Sequence, residues 1–209
     1  MNVANHVLTK RQTVVQSCIH LAFYIFLAAG LLAVGYAGYI IADAGAYQAI
    51  QLPKFSHDVP IVEPHLPRIG EPVGEIEVPR LALKAVILQG DSSQVLRRGV
   101  GHLPGTPMPG EPGNVALAGH RDSFFRPLRG IHPGDIITLS IDTGTFHYKV
   151  DSTSVVSSRD VGVLRASGRN ELTLVTCFPF NYVGAAPNRF IVHASEVDPH
   201  ETVVNSEPQ

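Results

Sequence analysis

The chain has 209 residues, which leaves enough for one globular core, and not for two, once an apolar segment and a proline-rich stretch near its start are set aside. Its 16 basic and 18 acidic residues give a formal charge of −2 with no long run of either sign, so no electrostatic footprint for nucleic acid is present and none is expected as a partner. Two cysteines, Cys18 and Cys177, offer neither a disulfide framework nor metal-ligand spacing, and neither a metal nor a cofactor is expected.

Residues 1–18 form an N-terminal segment that includes Lys10 and Arg11. From Ile19 to Ala42 the chain then runs for 24 residues without a charge. At roughly 1.5 Å per residue that is about 36 Å of helix, against a hydrocarbon layer of roughly 30 Å. A transmembrane anchor over 19–42 is predicted, with Tyr24, Tyr36 and Tyr39 toward its two interfaces. The run is longer than the apolar region of a cleaved signal peptide, which favours an uncleaved anchor, with cleavage in AGAYQA after Asp43 as the alternative. Lys10 and Arg11 before it and Asp43 after it point to a single-pass protein of the plasma membrane, N-terminus in the cytoplasm and the rest outside. Cys18, beside the apolar run, reads as a space-filler. Cys177 is then a lone thiol facing an extracytoplasmic space, where an unpaired cysteine suggests use.

Residues 43–72 read as a stalk, because the stretch 51–73 carries five prolines and no apolar periodicity and is expected to be extended and semi-rigid. A globular domain over 73–199 follows, with a tail at 200–209. Its pattern is that of short strands rich in Val, Ile, Leu and Thr, punctuated by Gly, Pro and Asp: Glu75 to Val78, Leu81 to Leu88, Asn114 to Ala118, Asp135 to Ile141, Thr145 to Val155, Leu172 to Cys177 and Arg189 to Ala194. Asp142-Thr143-Gly144 reads as a hairpin turn. Seven or eight short strands, with one short helical piece around Ser123 to Arg129, predict a mainly β domain closed or nearly closed into a barrel.

Three residues at strand ends stand out for chemistry. A β-type run ends at Cys177, a Pro- and Gly-containing loop follows, and the next run opens at Arg189. A thiol at a strand end is held rigidly while reaching an open face. His120 enters a loop in the same way after the run Asn114 to Gly119. An imidazole beside a thiol accepts its proton and can later protonate a leaving amine. A fixed cation such as Arg189 stabilises negative charge building on oxygen as a tetrahedral intermediate forms. Taken singly, each has an ordinary reading: a core cysteine, a loop histidine, a surface ion pair. Position alone leaves His102, His132, His147 and His193 as rivals for the imidazole role.

Together these residues carry a resemblance. TLVTC at 173–177 is similar to the TLxTC signature of the sortases, AGH at 118–120 resembles their histidine motif, and Arg189 lies at the spacing of their arginine. The order His, Cys, Arg, the VPRL at 78–81 and the N-terminal anchor also fit. The continuation CFPF, with a short loop to the arginine, looks most like class D and related groups.

The resemblance implies a closed eight-stranded sortase-type β-barrel, and a groove that takes a sorting motif of the LPXTG type from surface proteins. It also implies a cysteine transpeptidase working in two steps. Cys177 forms a thioacyl enzyme, His120 protonates the departing amine, Arg189 stabilises the oxyanion, and an incoming amine of unknown identity resolves the thioester. On the family pattern Thr176 lines the site. The calcium used by some members is not expected here, because Glu111, Asp160 and Glu171 are few ligands for an ion that takes six to eight oxygens. Two other readings are a membrane-tethered barrel that binds peptides without catalysis, and a cysteine protease whose acyl acceptor is water.

Overall fold

The computed structural model describes residues 3–55, 67–165, 167–182 and 184–197. Two units divide the chain, Met1–Asp43 and Ala44–Gln209. Helix α1 runs from Val3 to Phe55. Its stretch Ile19–Pro53 is long and apolar enough to cross a membrane. In the first unit its large side chains, among them Leu21, Phe23, Leu32 and Ile41, are exposed.

The second unit begins with the last turns of α1. An extended stalk is expected from residue 51, yet the helix continues to Phe55. Tyr47 and Leu52 pack on Val86, Leu88 and Val95, and the Gln48 side-chain oxygen accepts from the Val86 backbone N–H at 2.8 Å. The Gln48 amide donates to the Arg98 carbonyl, and the Arg98 guanidinium lies 5.6 Å from the Tyr47 ring centroid. Val86 and Leu88 point out of the barrel wall, so the helix end removes from water apolar surface that the barrel does not cover itself. Residues 56–66 of the expected stalk, and the tail at 200–209, lie outside the described residues.

Eight strands build the remainder: β1 (Pro72–Val78), β2 (Leu83–Gln89), β3 (Val100–His102), β4 (Asn114–Gly119), β5 (Ile136–Ile141), β6 (Gly144–Ser157), β7 (Glu171–Phe178) and β8 (Asn188–Val197). They close in the order β1-β2-β3-β4-β7-β8-β6-β5. Closure leaves no edge for another chain to pair with. Pairs β2/β3 and β4/β7 are parallel and the others antiparallel. Alternate residues face inward: Ile76 and Val78, Leu83, Ala85 and Ile87, Val115 and Leu117, Leu172 and Leu174, Val192 and Ala194 form one core with Phe125 and Leu128.

The expected hairpin forms, with Ile141 paired to Gly144 across Asp142 and Thr143. Strand β2 starts two residues later than its apolar run, because Pro79–Leu81 make a 3-10 turn closed by the Ala82 N–H on the Pro79 carbonyl at 3.0 Å. Helix α2 (Ser93–Arg98) and the three-residue β3 are not among the expected elements, and β3 is the strand that completes the ring. The helical piece expected around Ser123 to Arg129 is a 3-10 turn over Arg126–Gly130, with a proline in its first turn.

Candidate active site

Cys177 and Arg189 are direct cross-strand partners, at the ends of β7 and β8. Parallel pairing of β4 with β7 runs up to Gly119 opposite Thr176, so His120 and Cys177 are the residues that follow its last pair on the two strands. Alternation decides the face: Leu172 and Leu174 on β7 and Val115 and Leu117 on β4 belong to the core, which turns Cys177 on β7 and Ala118 on β4 to the opposite, outer face of the wall, and His120 is the next position of that β4 alternation. Three neighbouring strands therefore bring a thiol opposite a guanidinium and lead an imidazole out of the third strand at the same end. Below it lie Ala118, Val175 and Ile191, an apolar row with little bulk on the β4 side.

The local sequence explains why this end is rigid. A side chain at Gly119 would meet the Phe125 ring at 2.6 Å, and Phe125 is fully buried with its N–H on the His120 carbonyl at 3.1 Å. The glycine before the histidine is thus what lets the following turn fold back onto the core. Thr176 is 2% exposed and faces inward, and its hydroxyl donates to the Gly119 carbonyl at 2.7 Å. It clamps β4 to β7 one step below Cys177 rather than facing the open side. The Arg189 Nη1 donates to the carbonyls of Asn188 (3.0 Å) and Ala186 (3.3 Å), which fixes the guanidinium at the mouth of its own loop. Cys177 is a free, half-buried thiol.

The rival histidines are engaged elsewhere. His102 is buried, with Nε2 on the Pro107 carbonyl at 2.9 Å and Nδ1 at 2.8 Å from the Gln89 side-chain oxygen. His132 sits on Arg80, and His147 on Thr138. His193 shares the outer face but pairs with Thr173, two rows below Cys177. Of the carboxylates considered for calcium, Glu111 accepts from the Met108 N–H of its own loop and Glu171 from Ser167. Among the described residues no group of three or more His, Cys, Asp or Glu side chains is placed to hold a metal ion.

Residues 76–197 match the family model described as Sortase domain, more than half of the chain. This chain belongs to the sortase family. Sortases are cysteine transpeptidases. Sortase D of Bacillus subtilis (strain 168) is 30% identical over 188 residues, covering 82% of this chain and 95% of that protein. Among solved structures, a Clostridium perfringens sortase D5 transpeptidase superimposes with a TM-score of 0.63 at 26% identity, over 75% of this chain and all but 1% of the other. Sortase C-1 of Actinomyces oris gives a TM-score of 0.56 at 32% identity, over 61% and 75% of the two chains.

Two features of this sortase site are absent from the sequence reading. Phe178, Phe180 and Phe190 form a ring cluster flanking the Cys177–Arg189 pair, with centroids 5.4 to 6.3 Å apart. Phe180 and Phe190 lean on the barrel core and so anchor both ends of the connecting loop. The spacing of the FPF tripeptide against Phe190 was the available signal. The second feature is Arg121, which reaches from the residue after His120 to the loop between Cys177 and Arg189.

Proposed function

We propose that the protein is a membrane-anchored sortase that cleaves an LPXTG-like sorting motif on surface proteins and transfers the acyl fragment to an amine. Cys177 is the nucleophile. Its thiolate sulfur attacks the carbonyl carbon of the motif's scissile peptide bond, and the electron pair of the C=O moves onto oxygen, where the Arg189 guanidinium stabilises it. Collapse expels the amine, to which His120 gives the proton, leaving a thioacyl enzyme. An acceptor amine then adds to the thioester carbonyl and loses its proton to His120. The Cys177 sulfur leaves and the new amide is released. The observation that supports this reading is the register: Cys177 pairs with Arg189, and His120 follows directly on the last β4–β7 pair, Gly119 with Thr176.

In the same reading residues 1–18 are cytoplasmic, 19–42 span the plasma membrane, and 73–199 act on its outer side. The charges at Lys10, Arg11 and Asp43 favour that orientation. The full chain in detergent, given an LPXTG-type peptide and a small primary amine, should release the peptide's C-terminal fragment and yield an amide that contains the added amine. Free acid with no amide at saturating amine would mean hydrolysis rather than transfer.

A further inference from the structure

The β4–β7 ladder holds His120 and Cys177 only from below. Its last pair is Gly119 with Thr176, and no β4–β7 ladder pair is formed by His120 and Cys177 themselves. The next tie across lies beyond them. Arg121 Nη2 donates to the carbonyls of Tyr182 at 2.6 Å and of Gly184 at 2.9 Å, across 61 and 63 residues of chain. The same guanidinium carbon is 5.8 Å from the Tyr182 ring centroid. The Arg121 Nη1 is buried and has no hydrogen-bond partner among the described residues.

We propose that Arg121 is a positioning residue that fixes the spacing of His120, Cys177 and Arg189 by tying the start of the His120 turn to the loop joining β7 and β8. The proposal rests on the reading of these three as a working set. Two observations and the chemistry of the guanidinium group converge on it. Tyr182 and Gly184 lie between Cys177 and Arg189 in the chain, so one cation gathers the connection between two of the three, while its own backbone adjoins the third. A guanidinium is always charged, planar and able to stack while donating from one edge, which suits two carbonyls and a ring together. An N–H of that cation left buried and unpaired is unfavourable for stability, which is the pattern of a residue kept for placement rather than for fold strength. Among the described residues Arg121 reaches only carbonyls and a ring, so it is not assigned to the chemistry.

The test uses the full chain in detergent with Arg121→Gln and Arg121→Lys. With an LPXTG-type peptide, kcat should fall about 10- to 100-fold while KM changes by less than about threefold, since misplacement of about 1 Å has that scale of effect on rate. Lysine should not rescue, because it keeps the charge and loses the fork and the stacked plane. Backbone hydrogen exchange in a fragment covering 178–190 should rise about tenfold, with β1, β2 and β5 fragments unchanged and Tm within about 2 °C of wild type. The pH profile of Cys177 alkylation by iodoacetamide should be displaced in both variants. Exchange and alkylation need no peptide, so they test the tie even if wild-type protein turns over no sorting peptide, an outcome that would count against the proposed function alone. Wild-type exchange and kcat in Arg121→Gln would overturn the proposal. So would recovery by Arg121→Lys, or a general fall in Tm with faster exchange throughout the barrel.

Discussion

At the scale of single residues, the AGH stretch shows how one missing side chain organises the turn that follows β4. Gly119 gives up its Cβ to the Phe125 ring, and the two residues that follow carry the imidazole and the guanidinium tie. Gly119→Ala should therefore cost about 1–3 kcal/mol from overpacking. It should also reduce turnover beyond its effect on Tm, because Phe125, whose ring it displaces, donates its backbone N–H to the His120 carbonyl; urea unfolding and peptide cleavage measured together check both parts. Arg189 allows a sharper question. The carbonyls of Ala186 and Asn188 hold its guanidinium, so the fork is oriented before substrate arrives. Arg189→Ala and Arg189→Lys should each lower kcat by about 10²- to 10³-fold, the usual loss of one preorganised oxyanion donor. Recovery by lysine to within about tenfold of wild type would reduce Arg189 to a nearby positive charge.

Elements show where local pattern and tertiary contact part company. The long strands were legible because Ile137 and Leu139, or Leu172 and Leu174, alternate with outward residues, and the hairpin because Asp142-Thr143-Gly144 can only turn. His120, Cys177 and Arg189 were legible as strand-end residues, although bringing them to one end needs the β4–β7 and β7–β8 registers. Strand β3 was not legible: three residues with a glycine at the centre carry no period, and its place is set by partners on both sides. The end of α1 was missed for another reason. Pro53 and the prolines after it read as linker, while Tyr47 and Leu52 find Val86 and Leu88 only through the fold. Each aliphatic side chain uncovered there costs roughly 1.5–3 kcal/mol if fully exposed. A fragment starting at residue 67 should therefore melt several degrees below one starting at residue 44, with kcat/KM on short peptides within about threefold. Equal Tm values would mean the helix end contributes nothing to the barrel.

Over the whole molecule, stability should respond to pH through a residue that sequence position offered as a rival catalyst. His102 is buried where β3 enters the loop leading to β4, and burial holds its imidazole below the usual 6.5, outweighing the opposing pull of the Pro107 carbonyl and of Glu111. The unfolded chain then binds more protons than the fold between that lowered value and 6.5, so stability rises with pH across this window. Its full contribution is present above about pH 6.5 and is lost as pH falls through the folded value. His102→Gln should lower Tm at pH 7.5 and flatten the decline in Tm expected for wild type on going below about pH 6.5. An unchanged slope would assign that decline to other groups; Asp135, whose carboxyl is held below its ordinary value chiefly by its hydrogen bond from Arg80, adds a further decline only below about pH 3.8.

The molecule as a whole stands or falls on the covalent intermediate. Intact-mass spectrometry of the full chain, quenched in acid during turnover of an LPXTG-type peptide, should show an adduct equal to the peptide's N-terminal acyl fragment, mapped to Cys177 and lost on adding an amine. Cys177→Ala should show neither adduct nor product, with Tm close to wild type because little cavity is made at a half-buried strand end. Amide product from Cys177→Ala, or an acyl adduct on any other residue of the active protein, would contradict the account.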